Sequence, residues 1–331
     1  MSGRMNVLIT GATGFLGSHL VRRLYGRHHL VCLARDPGSV VARAGLPPSA
    51  GSGQTAARPG GSALGGVHAS METVAGDLRD PAFASGLPRQ VDAVVHLAVV
   101  PPSSGAPPLE MAQVNTLGTL LLLEHAVRCG ARRFVYGSTG SVYGVGPEPF
   151  SEEAPPRPAD VFAVSKLAGE LMVGAYRGRL STAVLRFFYL YGFGQPAHLL
   201  VPRLYDRIQR SEPVTLGRGG GPALSFTYID DAVEAVVRAL ESDDELTLNV
   251  AHSRPHTILA LAETLGHLAG CRPVFATSGE KGQDLMADVR RLEETLGFRA
   301  RVDLDEGLGR TFTVAEKPSG GRVWRRDRRA A

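Results

Sequence analysis

MNVLIT (5–10) running straight into GATGFLG (11–17) is the stretch that decides the fold. A short apolar segment that ends in a glycine-rich turn and opens the amphipathic run GSHLVRRLYG reads as strand, loop and helix. Each glycine then has a mechanical task. Gly11 permits a tight turn, Gly14 lets the backbone approach a pyrophosphate, and Gly17 allows the helix to pack closely on the strand. Free N–H groups at the helix N-terminus supply the phosphate cradle, to which Thr13, Phe15 and Leu16 belong.

Outward from this loop, apolar strands alternate with helices. Strands are expected at 5–10, 29–34, 72–76, 92–98, 132–138 and 181–187, and helices near 14–25, 107–129 and 160–177. Strands apolar throughout and joined by helical crossovers imply an α/β fold, a Rossmann-type doubly wound parallel sheet covered on both faces. After residue 190 the pattern turns irregular, with short strands near 213–216, 224–229 and 246–250 and helices near 230–241, 257–269 and 304–315. The expected organisation is a dinucleotide-binding domain over 1–190 and a small mixed α/β substrate lobe over 191–316, with some segments returning to the core. Residues 37–66, rich in Gly, Pro, Ser and Ala, read as a flexible insertion, and 317–331 as a basic tail.

Bulk composition excludes several classes. The net charge is +4, from 36 basic and 32 acidic residues, and no basic-aromatic stripe suggests a nucleic-acid surface. The three cysteines, Cys32, Cys129 and Cys271, lie too far apart for a disulfide framework or a metal-binding pair, so no metal is expected. No apolar run reaches signal-peptide or membrane-span length, which makes a cytoplasmic protein without a membrane partner the expectation. At the end of the second strand, Ala34 occupies the place of the acid that usually binds the ribose diol of NAD, and Arg35 follows. That charge complements a 2′-phosphate and tilts the cofactor expectation from NAD toward NADP.

With GATGFLG are found GDLRD (76–80), VVHLA (94–98), VNTLGTLLLLEHA (114–126), FVYGSTGSVYG (134–144), VSKLAGE (164–170), LRFFYLYGFGQ (185–195), SFTYIDDAVEAV (225–236) and LGFRARVDLDEGLGRT (296–311). Taken together, the chain resembles an extended short-chain dehydrogenase/reductase of the NAD-dependent epimerase/dehydratase type over essentially its whole length. The resemblance implies a nicotinamide cofactor and, commonly, a nucleotide-linked sugar as the small-molecule substrate. It places Asp77 and Leu78 at the adenine, Leu97 and Ala98 along the cofactor channel, and Asn115 as a brace for the active-site strands. Thr139 would bond the reacting oxygen and Lys166 the nicotinamide ribose. It also implies that helices 107–129 and 160–177 can pair with a second subunit as a homodimer.

The departures from the family pattern gather at the chemistry. Phe162 stands where the family has its catalytic tyrosine; its ring can sit by the nicotinamide, four residues from Lys166, but carries no proton. Tyr189 replaces an asparagine that contacts substrate, Leu224 replaces an arginine that clamps the diphosphate, and the segment 280–288 lacks a further expected arginine, for which Lys281 would have to serve. Three readings stay open. Another residue supplies the proton, with Tyr143, Tyr189 or His198 as candidates; or the cofactor serves an elimination, cyclisation or isomerisation; or the chain is a non-catalytic cofactor-binding sensor or scaffold.

Overall fold

The computed structural model describes residues 3–51, 71–146, 149–280 and 282–312. Seven strands form one parallel sheet: β1 (Asn6–Thr10), β2 (His29–Ala34), β3 (Met71–Ala75), β4 (Ala93–His96), β5 (Arg133–Thr139), β6 (Ser181–Phe187) and β7 (Leu246–Val250). Their spatial order is 3-2-1-4-5-6-7, so the chain reverses direction across the sheet between β1 and β4. In such sheets the crevice at that switch point, beyond the carboxyl ends of the strands, is where ligands bind.

Side-chain alternation explains why the strands are apolar throughout. Val7 and Ile9 of β1 join one core, with α1 (Phe15–Leu24), while Leu8 joins the other, with Leu122, Phe134 and Val184. The second core lies beneath a long helix over 108–128 and beneath α4 (Val161–Ala175). The long helix, α3, is continuous but widens into a π-turn at Gln113–Leu117. Between β2 and β3 sits α2 (Ser39–Ala44), with Val40 and Ala44 buried. Asp160 caps α4 by accepting the Ala163 amide at 2.7 Å.

Apart from β7, the strands beyond β6 pair in twos. Leu190–Tyr191 lies parallel to Thr227–Tyr228, Ala223–Leu224 antiparallel to His256–Thr257, and Val214–Leu216 parallel to Phe275–Thr277. Helices α5 (Leu200–Gln209) and α7 (Ile258–Ala269) accompany them. The intervening α6 (Ile229–Glu241) instead covers the main sheet, where its Glu234 pairs with Arg23 of α1 at 3.0 Å. Two short helices, α8 (Arg290–Leu296) and α9 (Leu304–Phe312), close the described chain.

Residues 246–250 are a segment that returns to the core: they form the edge strand of the main sheet, registered along β6 from Leu246 opposite Ala183 to Val250 opposite Phe187. One expectation is corrected. Part of the stretch read as a flexible insertion is ordered: α2 and a single 3-10 turn at Pro48–Gly51 occupy its first half, because Val40 and Ala44 find apolar partners that the surrounding Gly and Pro disguise. Its remainder and the basic tail lie outside the described residues. Among the described residues, no helix is long and apolar enough to cross a membrane.

Candidate active site

The loop after β1 has the geometry its glycines require. Gly11 adopts φ 74°, and a Cβ there would fall 2.5 Å from the backbone of Leu97 and Ala98 at the end of β4. A Cβ on Gly17 would fall 2.0 Å from the Gly11 carbonyl oxygen, so only glycine lets α1 start this close to the loop. Gly14 is the N-cap residue of α1 and has no side-chain cap, which leaves the first amides of the helix for a ligand.

A cleft of about 470 Å³ opens beside this loop. Gly11, Thr13, Gly14, Arg35, Asp77, Leu78, Leu97 and Ala98 all line it, which brings together most of the residues expected at the cofactor. Phe15, Leu16 and Gly17 instead build the first turn of α1 behind the loop, with Phe15 edge-on to His19 and Leu16 buried. Sequence reading missed Arg79 and Glu110, which also line the cleft. Arg79 forks onto Asp77 at 2.5–3.0 Å and reaches Glu110 at 3.3 Å; its hydrogen bonds hold the Asp77 carboxyl below its usual pKa. Arg35 makes no ion pair among the described residues, so its charge remains available at the adenosine end.

The other end of the cleft is braced by buried polar side chains. Asn115, in the π-turn, accepts the Val100 amide at 2.8 Å and donates to the Val100 carbonyl at 3.2 Å and to Ser165 Oγ at 3.0 Å. One residue of α3 thus ties the cleft wall at Val100 to the helix turn that carries Lys166. His96 is hydrogen-bonded to Thr10 Oγ1 at 2.6 Å and Thr119 Oγ1 at 2.9 Å, and complete burial keeps the ring neutral.

Thr139 ends β5 and is half-buried, with its hydroxyl accepting the Ser141 amide and donating to Ser141 Oγ, both at 3.2 Å. Phe162 is half-buried on the first turn of α4. Lys166, one turn later, is 3% exposed, and its Nζ lies 4.0 Å above the centre of the Tyr136 ring. A buried ammonium is costly without a partner, and burial brings the pKa of this amine down to about 7 against a weaker opposing pull from Glu170.

Beneath this turn runs a network the sequence did not announce. Glu170 accepts from Ser138 Oγ at 2.5 Å and from Arg186 Nε and Nη2 at 3.0 and 2.6 Å, an ion pair with both side chains 7% exposed. Arg186 continues to the Tyr143 hydroxyl at 2.7 Å, which donates to Asn249 Oδ1 at 2.8 Å. The Asn249 amide then reaches the carbonyls of Phe150 and Asp288. Five side chains from β5, α4, β6, β7 and the 3-10 turn Gly140–Tyr143 are locked together. Glu170 sits at i+4 from Lys166, which is the one sequence signal that could have found it.

The remaining candidates scatter. Tyr143 is 1% exposed, stacked on Phe150 at 5.0 Å, with its hydroxyl held between Arg186 and Asn249: a packed aromatic rather than an open proton donor. Leu224, placed at the substrate by position, is instead 2% exposed in the core, paired with His256 and bridged to Leu285. Tyr189 is partly exposed and packs against Phe226, and His198 is exposed with Nε2 3.3 Å from Ser103 Oγ. Lys281 lies outside the described residues. No cluster of three or more His, Cys, Asp or Glu among the described residues is arranged to hold a metal ion.

Comparison with known proteins agrees with this geometry. The model of the NAD dependent epimerase/dehydratase family matches residues 7–251, and the chain belongs to that family. The UDP-glucuronic acid decarboxylase 1 of Danio rerio is 28% identical over 93% of this chain and 72% of its own, and a UDP-glucose 4-epimerase of Azospirillum brasilense is 27% identical over 94% and 92%. Among solved structures, MoeE5 in complex with UDP-glucuronic acid and NAD superposes with a TM-score of 0.76 at 31% identity, covering 92% of this chain and 97% of that one. A tyrosine-to-phenylalanine mutant of a Bacillus cereus UDP-glucuronic acid 4-epimerase, in complex with UDP-4-deoxy-4-fluoro-glucuronic acid and NAD, superposes at 0.77 with 25% identity, covering 93% and 98%.

Proposed function

We propose that the chain is a nicotinamide-dependent enzyme that oxidises a hydroxyl of a nucleotide-linked sugar as the first step of an epimerisation, decarboxylation or reduction. The observation that carries this reading is the cleft running from the uncapped amides of α1 past Arg35 and Asp77 to Val100, behind which the buried Asn115 ties the wall to Ser165. The residues present fit the cofactor. The α1 amides would hold its pyrophosphate, Arg35 a 2′-phosphate, and Lys166 the nicotinamide ribose, while the bound nicotinamide supplies a hydride acceptor. Thr139 would orient the reacting oxygen.

Two features depart from the pattern the family resemblance implies. The buried Leu224 gives a substrate diphosphate no guanidinium fork, so the lobe must hold the substrate by other contacts. Arg35 beside Ala34 favours NADP over the NAD bound in the neighbouring structures. A second reading, a cofactor-dependent non-redox step or a non-catalytic cofactor module, rests on Phe162. A tyrosine-to-phenylalanine mutant of a neighbouring structure, solved with both sugar nucleotide and NAD, is consistent with ligand binding by a site that lacks one tyrosine hydroxyl.

Leu109, Leu117, Val161, Val164 and Leu171 expose apolar surface on α3 and α4, which supports a homodimer built on these helices. The test of the activity is to load the purified protein with NAD⁺ or NADP⁺, add UDP-glucose or UDP-glucuronic acid, follow absorbance at the reduced-nicotinamide band and identify products by NMR. Reduced cofactor, or an epimerised or decarboxylated sugar, supports the redox enzyme; an eliminated or cyclised product with no cofactor reduction supports the non-redox step, and bound cofactor with an unchanged sugar the non-catalytic module.

A further inference from the structure

Among the residues lining the cleft beside the glycine loop, the charged ones alternate in sign along the chain: Arg35, Asp77, Arg79 and Glu110. Arg79 joins the two carboxylates. Its backbone amide and Nε reach Asp77 Oδ1, both at 3.0 Å, and its Nε and Nη2 reach Oδ2 at 3.0 and 2.5 Å. Its Nη1 reaches Glu110 Oε1 at 3.3 Å. Asp77 follows β3 and Glu110 lies in the first turn of α3, so one guanidinium ties two sides of the cleft together. Arg35 is near enough for its charge to favour the Asp77 carboxylate as well, after the larger pull of Arg79.

This arrangement decides which charges the adenosine end accepts. NAD and NADP differ there by one 2′-phosphate, a monoester carrying about −1.5 to −2 near pH 7. Two bare carboxylates in the same cleft would repel that group. With Arg79 bonded to both, the four side chains carry two positive and two negative charges and cancel. Loss of the Arg79 charge leaves one net negative charge beside Arg35, and loss of the Glu110 charge leaves one net positive.

We propose that Arg79 and Glu110 are specificity residues that set the choice between NADP and NAD through their charge on the adenosine end. Arg79 masks the carboxylates that would reject a 2′-phosphate, and Glu110 limits the preference for it. The proposal rests on the cofactor reading above, in which Arg35 holds the phosphate, and it adds the field in which Arg35 works. All three guanidinium nitrogens of Arg79 are already committed to carboxylates, so its influence is exerted through charge rather than through a contact of its own. With side chains 43% and 25% exposed, the Arg79–Glu110 pair is open to screening by salt.

Calorimetric titration of NADP⁺ and NAD⁺ into wild type and variants tests this, at about 0.05 M and about 0.5 M salt. Arg79→Gln should lower the ratio of NADP⁺ to NAD⁺ affinity roughly five-fold, and Glu110→Gln should raise it by a similar factor. Arg79→Lys keeps the charge without the fork and should not lower the ratio. Both shifts should shrink at the higher salt. An ion pair that only holds the cleft together would weaken both cofactors alike, in either variant and at either salt.

Ratios unchanged in Arg79→Gln and Glu110→Gln, or shifted in the same direction, overturn the proposal. If Arg35→Ser lowers the ratio while those two variants leave it alone, the Arg35 reading stands and the proposal falls. Binding of neither dinucleotide by wild type overturns the cofactor reading and the proposal together.

Discussion

The glycine loop at 11–17 and the turn of α4 at 162–166 are two regions of one candidate site, and they answer to different constraints. In the loop the two glycines Gly11 and Gly17 are where the turn requires them, because a Cβ at either would strike backbone whatever the substrate. In the helix turn, Lys166 is buried on the Tyr136 ring, and Phe162, four residues earlier, carries no group that could move a proton. Steric requirements of a cofactor platform tolerate little substitution; the departure from the family pattern falls instead on the acid–base position.

Two buried cations sharpen the contrast. Arg186 is neutralised by Glu170 in an ion pair 7% exposed on both sides, whereas Lys166 has an aromatic ring and no carboxylate of its own. If the first pair fixes the frame on which the second works, then Glu170→Ala should leave a buried guanidinium unpaired and cost about 3–5 kcal/mol, read from urea unfolding. A loss under about 1 kcal/mol would mean that β5, α4 and β6 hold together without it.

The loop half can be broken directly. Gly17→Ala places a methyl carbon against the Gly11 carbonyl and should cost about 2–3 kcal/mol while greatly weakening cofactor binding in calorimetry. A variant that binds as wild type does would show that the loop relaxes freely. Next in size, Arg35→Ser should lower the ratio of NADP⁺ to NAD⁺ affinity about ten-fold, the worth of a charge-assisted contact to the 2′-phosphate. An unchanged ratio would leave Arg35 as a solvated charge. The smallest effect concerns the outer face of α4. Leu171, 69% exposed, becomes Asp with little change in melting temperature, and sedimentation should shift from dimer to monomer.

What was legible in the sequence follows the same division. β1, the loop and α1 are contiguous, so apolar periodicity and three glycines suffice to place them. The edge strand β7 was harder, since its five residues pair with β6 across more than sixty positions of chain and resemble the lobe strands around them. α2 was hidden by the Gly and Pro on either side of its two buried side chains. The network from Ser138 through Glu170, Arg186 and Tyr143 to Asn249 joins residues separated by up to 106 positions, and no local pattern encodes such a meeting. Leu224 was named for a place beside the substrate; its backbone pairing with His256 turns it into core.

The most direct test of the central claim, an intact cofactor platform beneath an altered catalytic turn, is calorimetric titration of the cofactor-stripped protein with NAD⁺, NADH, NADP⁺ and NADPH, in wild type and Phe162→Tyr side by side. The account predicts tight binding of at least one dinucleotide, with equal affinity in the two proteins, because the platform does not depend on the residue at 162. Failure of all four to bind wild type would contradict it.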